Sequence, residues 1–246
     1  MNETLHTLQS HRSIHDYTAD PVSDEMLDQI ITAAHRTPTS MNAQEISLVV
    51  VRDPIKLAKI ARLSGGQAWI IKAPVFIAIL IDFHKTDLGV RKAGKTQIIH
   101  ESMEGFGVAA TDAGIVLGAL IAAAESLGLG IVPIGGLRRN PQDITDLLRL
   151  PPLTFPLVGL CIGHIDKDTP QKPRMDIKTF RHDEYYNASA YTEAIDAYDE
   201  TLLHFWRDIA HKEGLSWSDA LASRFSTVYF PQVKPVAAMQ GFLNNK

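Results

Sequence analysis

Polar and cationic side chains crowd into a short run near the start of the chain, at His11, Arg12, Ser13 and His15. An arginine beside a serine can donate several hydrogen bonds to a phosphate, and the guanidinium can do so through two parallel bonds. Histidines four residues apart could instead share a metal, but that requires an HExxH-type glutamate or a third ligand, and the run contains neither. The run therefore predicts an anion site, with a solvated polar loop as the alternative.

A second pair of cations lies far along the chain, at Lys172 and Arg174, with Pro173 between them. Residues i and i+2 of an extended segment point the same way, and proline stiffens that spacing. Two cations on one face can clamp an anion, although a solvated charge pair shows the same pattern. The spacing thus predicts a second anion contact.

Three further segments could contact a flat ring or its polar edge. Thr39, Ser40 and Asn42 bring three hydrogen-bonding side chains to a loop, and Gln67 offers both a donor and an acceptor. Gly135-Gly136 follows an apolar run, and glycine lets the backbone approach a ring or a phosphate without an intervening β-carbon. An ordinary loop or a packing turn would explain each segment by itself.

Two apparent motifs lack the structural context that they need. Gly105, Gly107 and Ala110 match G-x-G-x-x-A, but they lie inside a predicted helix with no strand before them. Cys161 lies in the middle of a predicted strand, so it is expected in the core rather than as a nucleophile. The sequence therefore predicts neither a dinucleotide-binding half nor a nucleophilic hydrolase.

Apolar periodicity predicts helices on both faces of a mixed sheet, followed by a helical tail. The predicted strands span 46–51, 75–81, 131–134 and 155–162. The predicted helices span about 23–37, 55–63, 101–127, 141–148, 191–212 and 218–225. The helix at 101–127 is rich in glycine, which costs up to ~1 kcal/mol per residue. That cost predicts a neighbouring helix packed closely against it.

Composition is that of a globular protein, with 45% apolar and 21% charged residues among 246. One cysteine suits a reducing compartment, no secretory signal is visible, and the longest apolar run, 113–124, is short for a membrane span. The net charge is −4 and no basic face is evident, which disfavours nucleic acid as a partner. These features predict a cytoplasmic protein that acts on small molecules.

Taken in order, the segments resemble the oxygen-insensitive NADPH nitroreductase and flavin reductase family, whose members depend on FMN. The matching stretches are HRSIHDYTADPVSDEMLDQIITAAHRTPTSMNAQ at 11–44, GGQ at 65–67, AAAESLGLGIVPIGGLRRNP at 122–141, LPPLTFPLVGLCIG at 150–163 and KPR at 172–174. Their shared order and spacing carry the resemblance, since each stretch alone is unspecific.

The resemblance implies an α+β, three-layer α/β/α nitroreductase-like fold with a mixed, mostly antiparallel sheet. It implies one FMN-binding domain over 1–246, with 185–246 as a helical extension, and a homodimer with FMN at the subunit interface. The FMN contacts it implies are His11, Arg12, Ser13, His15, Thr39, Ser40, Asn42, Gln67, Ile134, Gly135, Gly136, Lys172 and Arg174. The first three and the last two would meet the phosphate and ribityl end, and Ile134–Gly136 the isoalloxazine ring.

The family's activity implies hydride transfer from NADPH to flavin N5, followed by reduction of a nitroaromatic, a quinone or a free flavin in ping-pong kinetics. No side chain needs to act as an acid or base. His15 departs from the family's usual arginine, which puts a contact to the second substrate, and the choice of NADPH over NADH, in question. Arg207 is the candidate for the NADPH 2′-phosphate.

Three other functions remain open from the sequence. Another flavin chemistry, such as reductive dehalogenation or flavin fragmentation, could use the same fold. A flavin-binding sensor or storage protein would hold FMN without turnover. A structural protein would bind no cofactor at all.

Overall fold

A computed structural model describes residues 2–211 and 213–244 of the chain. The chain folds into two compact units, and each is described by itself. The first contains Met1–Thr169 and Phe230–Lys246, and the second contains Pro170–Tyr229. The helical extension was expected over 185–246; the second unit begins earlier, and the chain re-enters the first unit at Phe230.

Within the described residues, four strands form one antiparallel sheet in the first unit. They are β1 Ile46–Val51, β2 Val75–Asp82, β3 Leu129–Ile134 and β4 Thr154–His164, in the spatial order β1-β2-β4-β3. One row of the register runs Val49, Ala78, Gly159 and Ile134 across the sheet. The parallel component of the expected mixed sheet is confined to an isolated bridge between Ser13 and Ile131.

The helices were located well from their caps and periodicity. They are α1 Glu3–Gln9, α2 Asp24–His35, α3 Pro54–Leu63, α4 Trp69–Lys72, α5 Phe83–Lys92, α6 Met103–Ser126, α7 Pro141–Leu148, α8 Tyr191–Asp208, α9 Trp217–Phe225 and α10 Val233–Met239. The Ser23 side chain accepts from the N–H of Met26 at the start of α2, as expected of an N-cap. Sequence reasoning missed α1, α4, α5 and α10, and Lys212, the last residue of the helix predicted over 191–212, lies outside the described residues.

Two hydrophobic clusters cover the two faces of the sheet. On one face, α2 and α6 pack through residues such as Ile30, Ala113 and Leu120. On the other face, α3 and α7 pack through Ile60 and Ile144 against the sheet. Alternate strand residues enter the two clusters, which is why β2 is buried along nearly its whole length. The layers are helices, sheet and helices, as predicted.

Helix α6 is more exposed than the sequence suggested. It is the one helix in the described part of the chain that is long and apolar enough to cross a membrane. One face packs on α2 and the sheet. A Cβ at Gly107, Gly114 or Gly118 would meet nothing within 4 Å. Among the described residues, the expected neighbouring helix therefore does not cover this glycine face.

The second unit is helical. Helices α8 and α9 are joined by a hydrogen bond from the Ser218 N–H to Asp199 at 2.9 Å, and the Tyr198 and Trp217 rings meet edge to face. The Trp206 indole N–H donates to the carbonyl of Leu215 at 2.9 Å, which fixes the turn between the helices.

Candidate active site

The polar run at 11–15 is held against β3 by its one apolar residue. The N–H of Ile14 donates to the carbonyl of Ile131 at 2.8 Å, and the Ile14 side chain is buried. A Cβ at Gly130 would come within 2.8 Å of the Ile14 Cβ, so the glycine is what lets the segment lie flat on the strand. The neighbours of Ile14 therefore remain half-exposed along the edge of the sheet.

The Arg12 guanidinium is oriented by a carboxylate that sequence reasoning did not single out. Its Nε donates to Asp168 Oδ1 at 2.7 Å and its Nη2 donates to Asp168 Oδ2 at 2.9 Å. This pair of bonds raises the pKa of Arg12 and lowers the pKa of Asp168. Because Nη1 donates to the carbonyl of Ser10 at 3.2 Å, the plane of the guanidinium is set from two sides.

The two histidines of the run have different neighbours. His11 Nδ1 lies 2.8 Å from Glu125 Oε1 on α6. The His15 ring instead meets the Trp69 ring edge to face, with centroids 4.7 Å apart. In the described ranges, no group of three or more His, Cys, Asp or Glu side chains could hold a metal ion. His11 and His15 thus make separate contacts, one with a carboxylate and the other with an aromatic ring.

Gly135-Gly136 and Gln67 are brought into direct contact. The side-chain amide of Gln67 donates to the carbonyl of Ser64 at 2.7 Å, and a Cβ on Gly136 would collide with both groups. At Gly135 an added Cβ would meet only an Arg138 nitrogen at 3.4 Å, so that backbone is open on one side. The end of β3 therefore presents bare backbone beside an amide that can both donate and accept.

The arrangement fits a molecule with an anion at one end and a flat polar ring at the other. Trp69 connects the two parts, because it follows Gln67 closely and contacts His15. Arg12 and His11 supply donors suited to a phosphate, and Gln67 with the Gly135-Gly136 backbone suits the alternating edge of a flavin. The hydrogen-bonding groups of these residues therefore suit FMN, with the anion contacts at one end and the ring contacts at the other.

The segment Thr39–Asn42 does not join this surface. It leads into β1, and the Ser40 N–H donates to Asp112 on α6 at 2.8 Å. Strand β1 is one edge of the sheet and β3 is the other, with two strands between them. Strand spacing of about 4.8 Å separates the two edges by roughly 14 Å. Within the first unit of one chain, the predicted FMN contacts thus lie in two separate places.

The predicted cations of the tail lie in the second unit. Lys172 and Arg174 are both exposed on either side of the half-buried Pro173, as expected for an extended i, i+2 pair. The Pro173 carbonyl accepts from the Tyr198 hydroxyl at 2.9 Å, and Lys172 Nζ lies 5.2 Å from the Trp206 ring centroid. Arg207 is exposed near the end of α8.

Comparisons with known proteins agree with this geometry. Residues 8–164 match the Nitroreductase family, and residues 172–245 match the Nitroreductase family, C-terminal domain. The chain belongs to the nitroreductase family.

Relatives of this nitroreductase match over nearly their whole length. It is 42% identical over 245 residues to an FMN reductase [NAD(P)H] of Bacillus subtilis strain 168, covering 98% of each chain. It is 32% identical to an NADPH-flavin oxidoreductase of Vibrio harveyi, covering 100% of this chain and 98% of the other. Among solved structures, NfrA2 of B. megaterium superposes with a TM-score of 0.97 at 38% identity, and all of both chains is covered.

Three site neighbours of this nitroreductase escaped sequence reasoning. Asp168 and Glu125 are single acids that reach Arg12 and His11 only through the fold. Asp112 did carry a signal, because it is an isolated acid between Ala109 and Ala113 on an apolar helix. A buried acid of that kind is rare unless it is paired, and its partners could have been sought.

Proposed function

We propose that this nitroreductase binds FMN along the surface from Arg12 to Gly136 and transfers two electrons from NAD(P)H to a small flat acceptor. The contact of Gly136 with the Gln67 amide carries the proposal, together with the Arg12 guanidinium that Asp168 orients. The protein is an oxidoreductase with FMN as its cofactor, in keeping with relatives named FMN reductase and NADPH-flavin oxidoreductase.

The residues of the chain bind and orient, whereas the bound FMN supplies the redox chemistry by accepting a hydride and passing on two electrons. Arg12 and His11 hold the phosphate, since their donors are already turned by Asp168 and Glu125. Gln67 and the Gly135-Gly136 backbone hold the ring edge. Reductant and acceptor then use the same open face in turn, so ping-pong kinetics are expected.

The acceptor is proposed by class: nitroaromatics, quinones and free flavin. Support comes from relatives whose names cover different acceptors, including a CR(VI) reductase of Pseudomonas sp. strain G-1 at 30% identity and an oxygen-insensitive NADPH nitroreductase of Salmonella typhimurium at 31%. NADPH is the proposed reductant and NADH the alternative, because His15 stands where the family usually has arginine.

A homodimer is part of the proposal. The Thr39–Asn42 segment lies at the β1 edge and the Arg12–Gly136 surface near the β3 edge, so a second copy is needed to unite them around one FMN. The uncovered glycine face of α6 offers a surface on which such a copy could pack closely. A cytoplasmic location stays a prediction, which cell fractionation would test.

The visible spectrum of the purified protein, before and after anaerobic addition of NADPH and then NADH, tests the proposal. A flavin band that bleaches is the expected result, and the faster nicotinamide identifies the preferred reductant. A flavin band that resists both would favour a sensor or storage protein. Absence of a flavin band after incubation with FMN would refute the central proposal.

A further inference from the structure

The loop before β1 adopts a conformation that requires support. Met41, Asn42 and Gln44 have φ angles of 52°, 56° and 54°, in the left-handed region that favours glycine. Each such residue is strained and persists only where the surroundings hold it. Met41 is 97% exposed, so that support does not come from burying the tip of the loop.

The support comes instead from the two ends of the loop. The Ser40 N–H donates to Asp112 Oδ2 at 2.8 Å, and the Gln44 N–H donates to Thr39 Oγ1 at 3.0 Å. At the far end, the Glu45 carbonyl accepts from the Asp82 N–H at 2.7 Å. Among the described residues, Asp112 is therefore the one side chain from a distant element that bonds to the predicted FMN-binding residues of this loop.

Asp112 is itself paired with a second buried acid, Glu45. Only 1% of Glu45 and 5% of Asp112 is exposed, and a side-chain hydrogen bond with Asp112 is one of the causes that raise the pKa of Glu45. In the described part of the chain, no donor reaches Glu45 Oε2. Burial and the neighbouring Asp112 both favour the neutral, protonated form of the Glu45 carboxyl group, because a second charge beside Asp112 would be costly out of water.

Other charges near the pair do not neutralise it. Lys85 on α5 lowers the pKa of Glu45, but its Nζ is engaged with the carbonyl of Ile46 at 3.0 Å. Asp82 is bonded to Ser47. His35 on α2 lies with Lys85 along the cavity beside the loop. Burial and Asp112 together outweigh a backbone hydrogen bond to the Glu45 carboxyl group and the charge of Lys85, and they raise the pKa of Glu45 to about 6.

We propose that Asp112 is a positioning residue for FMN, and that the buried Glu45, when it is neutral, leaves Asp112 in place to hold the Thr39–Asn42 loop in its binding conformation. The inference rests on the proposed function, in which this loop addresses FMN. When Glu45 loses its proton, its buried charge repels the Asp112 carboxyl group and displaces it from the Ser40 N–H, so the anchor weakens. The loop then opens more often and FMN is held less tightly.

Amide hydrogen exchange of residues 39–44 tests the pair without FMN. After correction for intrinsic rates, opening of the loop in the wild type should rise about tenfold from pH 5 to pH 7.5. Glu45→Gln keeps a neutral donor at every pH, so its exchange should stay at the low-pH value. Asp87→Asn is the matched control, since Asp87 is a buried acid on α5 that pairs with Arg91.

Fluorescence titration of FMN tests the functional half. Histidines and the FMN phosphate also titrate in this range, so the quantity to follow is the affinity of Glu45→Gln relative to wild type at each pH. That ratio should be near one at pH 5 and reach about tenfold at pH 7.5. Asp87→Asn should give a constant ratio. Asp112→Ala, which removes the anchor, should bind weakly at every pH.

The two readouts separate the possible failures. Exchange that is independent of pH in the wild type, or that rises equally in Glu45→Gln, would overturn the inference. FMN binding with a constant ratio for Glu45→Gln would also overturn it and leave the proposed function intact. If neither the wild type nor Glu45→Gln binds FMN, the proposed function is wrong, and so is the part of the inference that concerns FMN. Hydrogen exchange then still decides whether Glu45 and Asp112 hold the loop.

Discussion

Gly136 and Gln67 are packed so closely that the Gln67 side-chain amide occupies the space in which a Cβ on residue 136 would lie. The amide is fixed there by its bond to the Ser64 carbonyl at 2.7 Å. A strand end, a loop and a polar side chain thus meet at one point on the sheet. The flavin edge proposed for this point depends on that contact.

Gly136→Ala is therefore expected to displace Gln67 and to weaken FMN binding at least about tenfold, since a lost hydrogen bond and a shifted loop each cost on the order of 1 kcal/mol. The dissociation constant from flavin fluorescence measures the effect. Gly89→Ala is the control, because a Cβ there meets nothing within 4 Å. Equal affinities for the two variants would contradict the placement of the ring edge.

Arg12→Lys should weaken FMN binding about 10- to 100-fold, because lysine cannot keep two parallel bonds to Asp168 while facing a phosphate. Riboflavin, which lacks the phosphate, should lose much less affinity in the same variant. Arg52→Lys makes the same change in an ion pair with Asp24 and serves as the control. A parallel loss for FMN and riboflavin would place Arg12 away from the phosphate.

Mixing two inactive chains tests whether each site draws on both subunits. Asn42→Val strains the loop at a left-handed position, and Gly136→Val disrupts the other half. Heterodimers would contain one intact site of two, so random co-assembly should restore about a quarter of the wild-type activity. Recovery that stays at the level of the separate variants would show that both halves serve the same chain.

The stability of the flavin-free protein should depend on pH through Glu45. Burial raises the pKa of Glu45 from 4.5 to about 6, so the folded state binds its proton more tightly than the unfolded state does. Its contribution is fully present below about 4.5 and is lost as pH rises through about 6, a change of about 2 kcal/mol. Urea unfolding at pH 4.5 and 7.5 should show Glu45→Gln gaining that much relative to the wild type.

Cys161 should be inert in the folded protein. It is fully buried in β4, and burial raises the pKa of its thiol. A thiol-reactive dye should modify it at least about a hundredfold more slowly than in urea, where one equivalent should react rapidly. Fast labelling of the folded protein would show that β4 opens readily.

The sequence by itself determined most of the secondary structure and the family to which the chain belongs. Local causes carried that information: Ser23 caps α2, the continuous apolar run of β2 marks a strand buried on both faces, and Gly135-Gly136 ends β3. The short helices α4 and α10 gave no such signal, because packing against the rest of the chain stabilises them more than their own periodicity does.

Only the tertiary structure decided which of those residues meet. It brought Gln67 against Gly136, Asp168 to Arg12 and Glu125 to His11. It also carried Thr39–Asn42 to the far edge of the sheet, where Asp112 accepts a hydrogen bond from the Ser40 N–H. Such contacts join positions far apart in the chain, and local preference carries no information about them. They follow from strand order and from which face of α6 is buried.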